Sequence, residues 1–71
     1  MEDAVLPGDL TAGDLIVLPG TPDEVMVRAV RLGQGGFIIT VSPVHDDTPG
    51  ARRNVTLTFA TALLRRGRVQ A

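Results

Sequence analysis

In EVMVRAVRLGQGGFIITVSP, from Glu24 to Pro43, two apolar runs flank a cluster of glycines, and this pattern is the most informative one in the chain about its fold. Both runs are rich in β-branched residues, which pack well on pleated surfaces. A phosphate-binding loop would need its glycines at a different spacing and a helix after them, and a Walker loop would also need a lysine. This chain has no lysine, and the strand-like FIITV follows the glycines. Because glycine readily adopts the positive φ angles of tight turns, GQGG is predicted to be the bend of a hairpin.

The first arm of this hairpin changes its alternation part-way along. Val25 and Val27 share one face of a strand, whereas Val30 and Leu32 share the other face. An extra residue in one strand produces such a change of parity. The pattern predicts a β-bulge near Arg28–Ala29, of the kind that lets a small sheet curl.

The composition predicts one small all-β domain. Of the 71 residues, nine are Val, three Ile and seven Thr, while eight Gly and five Pro interrupt the chain at short intervals. There is no cysteine, so disulfides and thiolate metal sites are excluded. No apolar run has the length of a membrane span, and the start MEDAVLPGD lacks the features of a signal peptide. We expect a soluble, cytoplasmic protein with no membrane partner.

The positions of glycine and proline predict where the strands and loops of the chain begin and end. Residues 1–9 are interpreted as a flexible N-terminal arm and residues 10–71 as the β-barrel domain, with a mobile loop at 44–53. One short helical or 3₁₀ turn is expected near residues 60–63, before the last strand. Five strands are predicted, at residues 15–18, 25–32, 37–42, 54–59 and 64–69. The expected core is Leu15, Val17, Val25, Val27, Val30, Leu32, Phe37, Ile39, Val41, Val55, Leu57, Phe59 and Leu63.

The segment AGDLIVL, residues 12–18, carries a resemblance. A Gly-Asp step that leads into the first strand is similar to the start of many SH3-like barrels, among them translation and transcription modules and Hint-type domains. The resemblance implies a single small five-stranded SH3-like barrel. Hint-type catalysis would need a cysteine or serine nucleophile at the start, where this chain has MEDAV. The resemblance therefore concerns topology and assigns no functional residue.

Residues that could carry chemistry are few. The only serine and the only histidine, Ser42 and His45, lie close to Asp46 and Asp47 in one polar segment. A catalytic triad needs its members to converge on a rigid frame, and a structural zinc site needs four ligands, whereas these residues are neighbours in a loop. We predict a surface loop, with no catalytic residue, no metal and no cofactor.

Charge is divided along the chain. Residues 1–24 carry a net charge of −6, and residues 25–71 carry +5. All the basic residues are arginine, which suits bidentate contacts with carboxylate or phosphate. The candidate partner- or phosphate-binding residues are Arg28, Arg31, Arg52, Arg53, Arg65, Arg66 and Arg68. Arg52, Arg53 and the last three would form one basic patch if the loop before the fourth strand adjoined the last strand.

Three interpretations of the arginines stay open. In the first, the arginines neutralise the acidic N-terminal third, because the first and last strands pair and bring Asp14 close to them. In the second, they contact nucleic-acid phosphates. In the third, they contact an acidic protein. The chain has no Trp or Tyr on which single-stranded bases would stack. We expect a non-enzymatic binding module whose partner is a protein, including another copy of itself, with nucleic acid as the alternative.

Overall fold

A computed structural model describes residues 3–20 and 23–68 of the chain, and it is all-β as predicted. The strands are β1 Asp3–Val5, β2 Asp14–Val17, β3 Glu24–Leu32, β4 Gly36–Pro43, β5 Arg53–Thr58 and β6 Leu63–Arg68. They form one antiparallel sheet in the order β1-β6-β2-β3-β4-β5. Short 3₁₀ helices at Pro7–Asp9 and Pro49–Ala51 both begin at a proline, whose fixed φ suits the first helical position. Within the described ranges no helix is long and apolar enough to cross a membrane.

The glycine cluster is the bend of a hairpin, as the sequence predicts. Leu32 of β3 pairs with Phe37 of β4, and the amide of Gly33 donates to the carbonyl of Gly36 at 2.8 Å. Gly35 has φ +76°, which a residue with a side chain rarely adopts. The bulge in the first arm is also confirmed, because the β3–β4 register shifts between residues 27 and 29.

The sheet curls around a single core to which every strand contributes. The predicted core residues Val25, Val27, Ile39, Val41, Leu57 and Leu63 are buried, and Val30, Phe37 and Val55 are partly buried against them. With no long helix among the described elements to cover it, the sheet buries its apolar face by bending over on itself. The two β3 valines and the two β4 residues are at the centre of the core, with three of the four fully inaccessible.

Four predicted core residues do not belong to the core: Leu15 and Val17, which are partly exposed, and Leu32 and Phe59, which are exposed. In β2 the alternation predicts an inner face of Leu15 and Val17, but Ile16 and the following Leu18 are the buried residues, at 0% and 5% exposure. The four apolar residues of this run do not alternate with polar ones, so the sequence does not indicate which face is the inner one. In addition, the β2–β6 register shifts between residues 15 and 16. Leu32 and Phe59 are 70% and 50% exposed because they lie at strand ends, beyond the packed centre.

The prediction of a closed five-stranded SH3-like barrel is wrong in strand number and in closure. The sheet has six strands and is open, with β1 and β5 at its edges. Interior strand β2 ends at Val17, and the chain turns away through Pro19 and Gly20, the latter with φ +84°. A groove of about 570 Å³ is lined by residues of β5 on one side and by Leu18 and Pro19 on the other.

The N-terminal segment is not a flexible arm over residues 3–9. Strand β1 pairs with β6, with Val5 opposite Leu63, and both Val5 and Pro7 are buried. Residues 1 and 2 lie outside the described part. The expected helical turn near residues 60–63 is instead a β-turn, in which the amide of Thr61 donates to the carbonyl of Thr58 at 3.2 Å. β6 begins at Leu63, and Val69 of the predicted last strand lies outside the described residues.

Candidate functional site

Three apolar side chains meet at the end of the sheet where the β3–β4 hairpin turns. Leu32 lies directly opposite Phe37, and Phe37 lies opposite Leu57, so these side chains point to one face. The ring of Phe59 packs edge-on against Phe37, with centroids 5.4 Å apart and planes at 87°. Leu57 beneath them is buried, whereas Leu32 is 70% and Phe59 is 50% exposed. We name Leu32, Phe37 and Phe59 the apolar rim.

The 3₁₀ helix Pro7–Asp9 covers one side of the apolar rim. A Cβ atom on Gly8 would lie 3.3 Å from the ring of Phe37, so the glycine permits this close packing. Leu6, immediately before the helix, is also 46% exposed. Single exposed apolar residues are common on proteins, but contiguous ones mark surfaces that contact other molecules.

Strand β5 is an open edge next to the rim. Its residues pair with β4 on one side, from Arg53 opposite Val41 to Thr58 opposite Gly36. On the face of the sheet that points away from the core, the hydroxyl of Thr40 in β4 donates to the side-chain oxygen of Asn54 in β5 at 2.8 Å. As an edge strand, β5 has backbone groups on its other side that no strand of the sheet pairs with. An edge of this kind can add a strand from another chain.

Two arginines converge on Asp47 at the other end of β3 and β4. Nε of Arg28 donates to the buried hydroxyl of Ser42 at 2.7 Å and lies 3.4 Å from the Asp47 carboxylate. Nη2 of Arg52 donates to the same carboxylate at 2.7 Å. The hydrogen bond from Arg52 lowers the pKa of Asp47, with the charge of Arg28 adding to the effect. The pKa of Asp46 is lowered too, chiefly by the hydroxyl of Thr48, and then by its amide.

The C-terminal arginines face the acidic N-terminal third. Arg65 makes a bidentate contact with Asp3, from Nε at 3.2 Å and Nη2 at 2.7 Å, and its Nη1 is 3.9 Å from the fully buried Asp14. The hydrogen bond with Asp3 raises the pKa of Arg65 above its ordinary value. Nε of Arg66 lies 3.8 Å from the Glu24 carboxylate. These contacts follow from the β1–β6 and β2–β6 pairings, as the internal-neutralisation interpretation predicts.

The sheet does not bring the candidate arginines into one patch by strand adjacency. Arg65 and Arg66 are in β6, which three strands separate from β5 and Arg53. Arg31 and Arg53 are exposed and form no ion pair with any residue of the described part. The side chain of Arg68 lies outside the described residues. Sequence reasoning missed the apolar rim, since the alternation that identified its residues as strand residues also assigned them to the core.

The Ser42–Asp47 segment does not assemble as a triad. The hydroxyl of Ser42 interacts with Arg28 and with the carbonyl of Pro43, and the residue is 1% exposed. His45 is exposed in the turn after β4. Ser42 lines a groove of about 440 Å³ whose charged residues are Asp23, Glu24 and Arg53. Among the described residues no group of three His, Cys, Asp or Glu side chains is placed to hold a metal ion.

Replacing His45, Asp46 and Asp47 together by alanine is expected to leave the fold intact and to shift the melting temperature by only a few degrees. The three side chains are exposed, and exposed ion pairs contribute little. Because the pKa of Asp47 in the folded state is depressed, its contribution is present above its ordinary value of 3.8 and is lost as the pH falls through the folded value. The difference in melting temperature between the variant and the parent protein should therefore be largest near neutral pH and vanish in strong acid. Circular dichroism melts from strong acid to neutral pH measure both effects, and a variant that is unfolded at neutral pH would contradict the expectation.

Comparison with known proteins finds no match for this chain: no protein-family model, no curated protein and no solved structure matches it significantly.

Proposed function

We propose that the protein is a non-enzymatic module that binds another protein, with the apolar rim as the centre of the contact. The observation that carries the proposal is the exposure of Leu32 and Phe59, at 70% and 50%, beside the half-buried ring of Phe37. Burying a leucine or phenylalanine side chain completely contributes about 1.5–3 kcal/mol. Two such side chains at the centre of an interface provide a hot spot of the usual size.

The ion pairs of the arginines support a protein partner over nucleic acid. Arg28, Arg52, Arg65 and Arg66 each have a carboxylate within 4 Å, which a phosphate would have to displace. Binding to a nucleic-acid backbone then depends on the remaining exposed arginines, without Trp or Tyr on which to stack bases. The lack of cysteine agrees with a cytoplasmic site of action.

The double substitution Leu32→Ser with Phe59→Ser is expected to reduce capture of protein partners at least tenfold, because a hot spot contributes about 2 kcal/mol or more. The measurement is quantitative cross-linking and mass spectrometry of the tagged chain in its own cells. The matched control is Arg31→Gln, which lies next to Leu32 in β3 on the opposite face and should capture the same partners as the parent.

Nucleic-acid binding, the competing function, predicts a different result. If the rim variant captures as the parent does, while a duplex DNA fragment binds with an affinity that falls steeply with salt, the protein-binding proposal is overturned. In that case the pair Arg31→Gln with Arg53→Gln should lower the slope of log affinity against log salt by about 0.9 for each phosphate that is no longer neutralised.

A further inference from the structure

The open edge of the sheet specifies its own partner. We propose that β5 pairs antiparallel with β5 of a second copy of this chain, with Thr56 on the two-fold axis. The inference goes beyond the proposed function, because it adds an interface on β5 that shares only Phe59 with the apolar rim. A two-fold pairing uses the same strand on both sides, so the assembly closes at two copies.

The edge of β5 is accessible, and the strand lacks proline and lysine, which commonly prevent an edge strand from pairing with another chain. The strand is six residues long and pairs with β4 on one side. The groove of about 570 Å³ leaves open space along Arg53–Leu57, and its other wall is Leu18 and Pro19. Proline has no amide hydrogen, so Pro19 cannot continue a hydrogen-bonded ladder to β5. An incoming strand has room where the sheet fails to close.

The sequence of β5 is complementary to itself in one register. Residues directly opposite in an antiparallel pair point to the same face, so odd positions must oppose odd positions. With Thr56 opposite Thr56 of the second copy, Val55 meets Leu57 and Asn54 meets Thr58, which keeps apolar residues on the inner face and polar residues on the outer face. No two charges of the same sign are opposite one another in this register, so the repulsion that blocks many self-pairings is absent.

The same register brings together two side chains that the isolated chain leaves exposed. Arg53, exposed and without an ion pair in the described part, lies next to Phe59 of the second copy, a residue of the turn after β5 that is 50% exposed. A guanidinium against an aromatic ring is a favourable cation–π contact. Within β5, the Thr56 register pairs residues 54–58 and the Val55 register pairs residues 53–57, whereas one centred on Leu57 pairs only residues 56–58. Of the two longer pairings, the Thr56 register is the one that keeps Phe59 next to Arg53.

The surface area that the β5 pairing can bury determines the expected affinity of the dimer. An interface of standard size takes about 800 Å² from each partner, nearly a fifth of the 4449 Å² that the chain exposes. One edge strand and Phe59 supply less than this. We therefore expect a dissociation constant on the order of micromolar.

Sedimentation equilibrium at protein concentrations from well below to well above micromolar tests the association. The parent chain is expected to pass from monomer to dimer without larger species. Thr56→Glu places like charges on the two-fold axis and should weaken the dimer at least tenfold, without touching the core, since Thr56 is exposed. Gln34→Glu, which adds the same charge in the exposed hairpin turn, should dimerise as the parent does. A parent chain that stays monomeric throughout overturns the pairing.

Because the chain has no cysteine, the register can be tested by cross-linking. Thr56→Cys should form a disulfide-linked dimer on oxidation, since the two substituted residues face each other about 5 Å apart. Thr58→Cys is the matched control, because in this register each copy lies about 13 Å from its counterpart, four residues along the strand. Equal cross-linking of both variants overturns the Thr56 register.

The outcomes separate this inference from the proposed function. A monomeric chain that still captures another protein through the apolar rim overturns the β5 pairing and keeps the protein-binding proposal. A chain that dimerises as described, captures no other protein through the apolar rim and binds duplex DNA keeps the pairing and overturns the proposed function.

Discussion

Gly36→Ala is expected to destabilise the protein by about 3 kcal/mol, at the upper end of the usual cost of overpacking. Gly36 begins β4 and lies opposite Thr58 of β5. A methyl group there would overlap the carbonyl oxygen of Leu57 and lie 2.8 Å from its carbonyl carbon and 3.0 Å from the Cα of Thr58. These are backbone atoms of a paired strand, so they cannot rotate away, and the β4–β5 ladder has to open instead.

Urea denaturation monitored by circular dichroism measures this effect. Gly50→Ala is the matched control, because a Cβ atom there meets no atom within 4 Å and the backbone needs no positive φ. That substitution should be neutral or stabilising by up to about 1 kcal/mol, since it restricts the unfolded chain. Equal stability of the two variants would contradict the packing of β4 on β5.

Asp14→Ala is expected to lower the free energy of unfolding by about 2 kcal/mol. The carboxylate is fully buried, accepts the amide of Thr11 at 2.9 Å and faces Arg65 at 3.9 Å. Removing it leaves the Thr11 amide without this charged acceptor, and such bonds contribute about 1.5–3 kcal/mol. The same change loosens the turn that leads into β2.

Asp14→Asn separates the hydrogen bond from the charge. The amide oxygen can still accept from Thr11, so this variant should lose less stability than Asp14→Ala in the same urea experiment. If Asp14→Ala unfolds within about 0.5 kcal/mol of the parent, which is the usual range for a surface substitution, the carboxylate does not organise the turn before β2. If the asparagine variant is as unstable as the alanine variant, the charge facing Arg65 is the larger contribution.

The division of charge is visible in the sequence, but its meaning requires the strand pairings. An excess of acid in residues 1–24 and of arginine afterwards indicates attraction between the two parts. That Arg65 contacts Asp3 depends on the pairing of β1 with β6, across a separation of 62 residues. The sequence predicts an arm at this segment because three strand residues beside a Pro-Gly step carry no local pattern strong enough to indicate a strand.

The all-β class, the hairpin bend at residues 33–36 and the bulge in β3 could all be predicted from the sequence, because each follows from local chemistry. Glycine permits the backbone of Gly35, and a change of parity between Val27 and Val30 requires an extra residue. The buried face of β2, the exposure of Leu32 and Phe59 and the open edge of β5 were decided by the tertiary structure alone. Whether an apolar residue is covered, or an edge is paired, depends on elements distant in sequence that pack over it, and alternation along one strand does not contain that information.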